Sequence, residues 1–294
     1  MGALDDIQHR IDARMAEINS RLGCGAQPRA GLESGRRLFD PAATIRAVRG
    51  MASMRDARKR VGLCVGLLEV DPSAYGGSSQ PCPGCDLDAS DFANVLSAAG
   101  IETTLLLNGQ ATAGGVRNAM RRAAGTLGDG DLFVMTVAGH GARGKGADGK
   151  AHECWCLWDG MLQDSDIVEM VRAFRPGVRI VMINDQCHSG GIFKELCRGL
   201  SGNGVFCDLV GEGSDVPMLI QFAACRAEES SIGYPIGGTW MTALMKVLAV
   251  DKEISWRDWF DMASAHPSLT EVQRPQWVEM GPVSDGFRSG RVFV

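Results

Sequence analysis

His140 and Cys187 are the residues whose type and setting could do chemistry. The apolar run 131–138 passes straight into Gly139-His140-Gly141, and the run 178–184 passes into Asp185-Gln186-Cys187-His188-Ser189-Gly190-Gly191. A cysteine is nucleophilic as its thiolate, and an imidazole takes up or returns a proton near neutral pH. Side by side they are the minimum for nucleophilic attack on an acyl group. Taken singly, His140 reads equally well as an ordinary strand-end residue, and a lone cysteine reads more readily as one. Their joint placement, histidine then cysteine at the ends of two apolar runs, is what points to catalysis. The glycines around them let the backbone turn sharply and approach a substrate.

Positioning two such side chains requires parallel neighbouring strands. Candidate strands lie at 61–70, 101–107, 131–138, 178–184 and 217–224, with helix candidates at 88–99, 112–127, 164–174, 191–200, 239–250 and 255–265. Near-continuous apolar strands alternating with helices imply an α/β fold, a mostly parallel sheet covered on both faces. In such folds ligand chemistry sits beyond the C-terminal strand ends, where both His140 and Cys187 fall. Upstream, Ile7, Ile11, Met15, Ile18 and Leu22 recur at helical spacing over 4–22, a Gly/Pro-containing loop covers 23–35, and a second helix is expected over 41–54. Residues 1–60 therefore read as a helical extension and linker, and 61–294 as the α/β domain. The basic cluster Arg55, Arg58, Lys59 and Arg60 reads as a solvated face or as exposed cleavable bonds.

Composition narrows the class. The 30 basic and 35 acidic residues give a net charge of −5, which disfavours a broad nucleic-acid-binding surface. No apolar stretch reaches the roughly 18 residues of a membrane-spanning helix. The charged N-terminus lacks an apolar signal core, so a cytoplasmic location is expected. The ten cysteines are then buried thiols, ligands or a nucleophile rather than a disulfide framework.

The two strand-end motifs carry a resemblance. His140-Gly141, followed about 50 residues later by Asp185-Gln-Cys-His-Ser-Gly190, resembles the caspase-related cysteine peptidases, specifically the metacaspase branch. Gly84-Cys85-Asp86-Leu87-Asp88-Ala89, Ala224-Cys225-Arg226 with Gly237-Gly238-Thr239, and Gln273-Arg-Pro-Gln276 are similar to further segments of that family. The resemblance implies a caspase-like three-layer αβα sandwich, with a large-subunit-like half at about 61–205 and a small-subunit-like half at about 215–294. It implies Cys187 as nucleophile, His140 as general acid/base, and the backbone N–H groups of Gly141 and Cys187 as oxyanion donors. His188 is expected to be packed under the loop rather than to act as a second base. Cys85, Asp88 and Asp185 match S1 pocket positions, where two carboxylates suit an Arg or Lys side chain at P1. Asp88 also reads as an N-cap of the helix expected from 88. Ala138 departs from the serine frequent two residues before the histidine.

The same resemblance implies a protein substrate with an exposed Arg or Lys site, in a cell-death or defence pathway. A gasdermin-like pore-former is one such partner, and the Ala/Gly/Arg-rich single chain suggests a bacterial member. No cofactor is required by the dyad. Calcium activation is the open point, because the region after His140 carries only Asp148 and Glu153 among lysines. Self-cleavage candidates are Lys194, Arg198 and the Arg58-Lys59-Arg60 run. Three rival readings stand beside this one: a catalytically silent caspase-like scaffold, a zinc-stabilised domain using Cys82, Cys85, His152, Cys154 and Cys156, and a redox pair at Cys82/Cys85.

Overall fold

The computed structural model describes residues 39–49, 58–79, 81–145, 149, 151–193, 197–201, 204–207, 216–235, 237–266, 269 and 273–294. The helix expected over 4–22, the loop over 23–35, and Cys24, Arg55, Asp148 and Lys194 lie outside the described residues.

Five strands pair in the order β2 (Glu102–Leu107), β1 (Arg60–Gly66), β3 (Leu132–Ala138), β7 (Arg179–Asp185) and β10 (Met218–Ala223), every pairing parallel. They coincide with the five expected apolar runs, although the first ends at Gly66 rather than at 70. The sheet continues through β13 (Gln276–Met280), antiparallel to β10, and then the β9 (Gly204–Cys207) and β8 (Cys197–Ser201) hairpin. A separate antiparallel sheet of β4 (Gly141–Lys145), β5 (Ala151–Leu157) and β6 (Gly160–Gln163) begins just after His140, and β11 (Gly233–Tyr234) pairs antiparallel with β12 (Gly237–Gly238).

Both sheet faces are buried, which is why the central strands read as unbroken apolar runs. Alternate residues of β3 and β7 go to opposite faces. Leu132, Val134, Val181 and Ile183 face the core shared with helices α1 (Pro41–Val48), α2 (Cys85–Ala98), α5 (Thr239–Val250) and α6 (Trp256–Ser264). Phe133, Met135, Ile180 and Met182 face the core shared with α3 (Ala113–Thr126) and α4 (Asp164–Arg172). The result is the expected three-layer sandwich. A short helix, α7 (Asp285–Arg288), completes the chain, and among the described residues no helix is long and apolar enough to cross a membrane.

Three local expectations are corrected. Among the described residues of 191–200 the expected helix is absent: residues 189–191 form a single tight turn and Cys197–Ser201 is strand β8, drawn into the sheet by pairing with β9. Helix α1 stops at Val48, short of 54. The basic run is not simply a solvated face, because Arg60 is the first residue of β1 and is buried. The peptide bond after it belongs to a central strand.

Candidate active site

Strand register sets the positions of the two reactive groups. β3 and β7 run parallel with Ala138 opposite Asp185, so His140 and Cys187 each lie two residues beyond a matched pair at one sheet edge. The two loops are tied by backbone contacts: Gly139 N–H donates to the Asp185 carbonyl (3.4 Å), and the Gln186 side-chain amide donates to the His140 carbonyl (3.2 Å). Gly141 packs so closely on Cys187 that a Cβ there would collide with the Cys187 carbonyl. Only glycine permits that approach.

The Cys187 turn is shaped by the residue after it. His188 has φ 62, a left-handed conformation uncommon for a residue with a side chain. Its strain is held by two bonds, its N–H to the Glu229 carbonyl (3.1 Å) and its ring Nδ1 paired with the Ala227 carbonyl (2.6 Å). The imidazole is thereby half-buried and held against the Ala227 carbonyl. Gln221, fully buried on β10, donates to Asn184 Oδ1 and to the Ser189 carbonyl, both at 3.0 Å. Gly190 N–H donates to the Cys225 carbonyl (2.9 Å). Cys225 lies beneath this loop, and burial pushes its thiol up to about 11. Cys187 itself is partly exposed, its Sγ 3.9 Å from the Ser231 carbonyl.

Two carboxylates converge on Gly237-Gly238. Asp88 Oδ2 accepts from Gly238 N–H (2.7 Å), and Asp185 accepts from Ser231 Oγ and from Met241 N–H (3.3 Å). A Cβ on Gly238 would collide with Asp185 and lie 3.2 Å from Asp88 Oδ2. Both acids are buried, and burial raises the Asp185 carboxyl to about 6 against the opposing bonds from Ser231 and Met241. Asp88 is not an N-cap, which corrects that expectation: α2 begins at Cys85 and its N-cap is Gly84. Gly66 explains the close seating of this helix, since a Cβ there would lie 2.5 Å from Ala89 Cβ. Cys85, the third expected pocket residue, is buried beside Cys82.

Several residues of this wall had no local signal. Gln273 Oε1 accepts from Thr239 Oγ1 (2.7 Å) and Ile232 N–H (3.2 Å), while its amide donates to Ser231 Oγ (3.3 Å). Glu229 pairs with Arg274 (3.1 Å). The late Gln273-to-Gln276 motif marked the place without revealing this clamp. A cavity of about 220 Å³ opens at His140, lined also by Val70, Tyr75, Ala142, Cys156 and Met161.

Two of the groups considered for metals, His152 and Glu153, are engaged with other side chains. His152 Nδ1 pairs with Asp164 Oδ1 (2.6 Å), and Glu153 bridges Arg143 (3.5 Å) and packs against Gly191. Among the described residues, no three His, Cys, Asp or Glu side chains are grouped to hold a metal ion.

The caspase domain family model matches residues 68–277. A 92-residue stretch is 33% identical to Metacaspase-4 of Arabidopsis thaliana, covering 29% of this chain and only 22% of that protein's length. A solved Geobacter sulfurreducens protein superposes with a TM-score of 0.67 at 24% identity, over 80% of this chain and 98% of that one. Caspase-1 of Spodoptera frugiperda superposes at 0.52 with 13% identity, over 77% and 87%, a likeness of fold. The family match runs across both strand-end loops and the acidic wall, and this chain belongs to the caspase-domain family of cysteine peptidases.

Proposed function

We propose that the chain is an endopeptidase that cleaves proteins after Arg or Lys, with Cys187 as nucleophile and His140 as general acid/base. The observation that carries this reading is the register that sets His140 and Cys187 at equal distance beyond the paired Ala138 and Asp185. The Cys187 thiolate attacks the scissile carbonyl, and the developing oxyanion lies against the N–H groups of Cys187 and Gly141. His140 then protonates the leaving amine, and water releases the acyl group from the cysteine.

Basic specificity is supported by Asp88 and Asp185, two buried carboxylates that meet at Gly238, with Cys85 one helical turn before Asp88. A cationic P1 head gains charge-assisted hydrogen bonds there, whereas an acidic one is repelled. A role in cell death or defence, on a substrate such as a gasdermin-like pore-former, rests on the family resemblance. A reducing cytoplasm suits the cysteines that stand free among the described residues. The dyad chemistry itself calls on no cofactor, and calcium enters as a variable to be tested.

The test is a fluorogenic peptide panel with Arg, Lys, Asp or Leu at P1, with and without calcium, on wild type and Cys187→Ala. Cleavage of the Arg and Lys peptides by wild type alone is expected. Activity persisting in Cys187→Ala overturns the nucleophile, and preference for Asp overturns the acidic pocket.

A further inference from the structure

Cys82-Pro83-Gly84-Cys85 is a tight turn whose geometry brings two thiols together. Gly84, with φ 94 and ψ −16, takes the third position of a type II turn, the place where glycine is favoured. Proline at the second position pre-sets the backbone, and Cys85 N–H closes the turn on the Cys82 carbonyl (3.3 Å). The turn is anchored from outside by Cys82 N–H, which donates to the Leu68 carbonyl (2.6 Å). First and last residues of such a turn fall within the Cα separation a disulfide spans. Their sulfurs are 2.6 Å apart.

The two thiols differ in the way exchange chemistry requires. Cys82 is partly exposed and Cys85 is buried. The interaction with Cys85 lowers the Cys82 thiol, while the same contact and burial raise that of Cys85. Burial pushes the other buried thiols up as well, Cys64 and Cys156 to about 12 and Cys154 and Cys225 to about 11.

We infer that Cys82 and Cys85 form a reversible dithiol–disulfide site that exchanges with low-molecular-weight disulfides such as oxidised glutathione. The Cys82 thiolate attacks one glutathione sulfur, expelling one glutathione thiolate and leaving a mixed disulfide. The deprotonated Cys85 then attacks the Cys82 sulfur and expels the second. Two protein thiols become one disulfide, one glutathione disulfide becomes two thiols, and the two protons lost by the protein go to the released thiolates. The bond ties the first residue of α2 to the preceding loop one turn before Asp88, so the site sits at the foot of the acidic wall.

The site is separable from catalysis and is tested on full-length Cys187→Ala, which removes the proposed nucleophile. The protein is equilibrated in glutathione buffers from fully reduced to fully oxidised, quenched in acid, alkylated and mapped by peptide mass. The expected result is joint loss of alkylation at positions 82 and 85 by more than about tenfold, the peptide becoming lighter by two hydrogens. Adding Cys82→Ser or Cys82→Ala should abolish that change, with unaltered circular dichroism confirming the fold. Stable glutathionylation of Cys82 with Cys85 still alkylated, or no reaction at either thiol, overturns the inference.

Discussion

The nucleophile edge and the acidic wall flank the same cysteine but are built by different means. His140 and Cys187 are placed by main-chain register between two central strands, and Gly141 locks the loops together at backbone distance. Asp88 and Asp185 are placed by bonds to segments far along the chain: Asp88 to Gly238, 150 residues away, and Asp185 to Met241, 56 residues away. The edge inherits the rigidity of the sheet, whereas the wall depends on a loop that Gln273 clamps. Chemistry should therefore break sharply at the edge and specificity should erode gradually at the wall.

The largest effect is expected from Gly141→Ala. Its methyl group meets the Cys187 carbonyl, so kcat should fall on the order of 10²–10³-fold, the scale of losing an oxyanion donor, while circular dichroism stays unchanged. Full activity would mean that close backbone approach does not build the edge. Next, Asp185→Asn should lower kcat/KM on a P1 Arg peptide about 10–100-fold, the worth of a charged hydrogen bond, and leave a P1 Leu peptide unaffected. Equal losses on both would place Asp185 in loop support instead.

A pH series sharpens the same contrast. With the Asp185 carboxyl raised to about 6, the wall is more negative above that pH, so the Arg-to-Leu ratio of kcat/KM should climb through about pH 6. Taking the ratio removes effects common to both peptides. The stability sign is opposite: a buried acid with a raised value binds its proton more tightly folded than unfolded. Its contribution to stability therefore grows as pH falls from about 6, and Asp185→Asn should remove that increment in thermal melts.

Smaller effects follow at the supports. Gln273→Ala removes bonds to Thr239, Ile232 and Ser231 and should cost about 1–3 kcal/mol in denaturant unfolding, with KM for the Arg peptide rising more than kcat falls. His188→Asn should be nearly silent in kcat, because asparagine tolerates the left-handed conformation. A large loss in His188→Asn would restore the second-base reading of that histidine.

The wrong helix at 191–200 and the unexpected β13 share one cause. Strand β13, Gln276–Met280, carries Glu279, a poor recommendation for a buried strand until Arg288 Nη2 pairs with it at 2.7 Å and Trp277 Nε1 donates to it at 2.7 Å. β8 and β9 add onto that strand, so nothing in residues 197–207 alone announces a sheet. By contrast, β1, β3, β7 and β10 bury both faces and could be read directly as apolar runs.

The amino-acid sequence by itself determined the parallel centre of the fold, the emergence of His140 and Cys187 at one edge, and the segments that carry the acidic residues. Two-sided burial and strand-end glycines are local properties, written in consecutive residues. Only the tertiary structure decided that Asp88 lies inside a helix rather than capping it, that Ser231, Gly238, Met241 and Gln273 hold the wall, and that Cys82 meets Cys85 beside it. The wall contacts join segments that are distant along the chain and have no periodicity in common. They exist because the sheet brings those segments together, and a hydrogen bond leaves its mark on geometry rather than on sequence pattern.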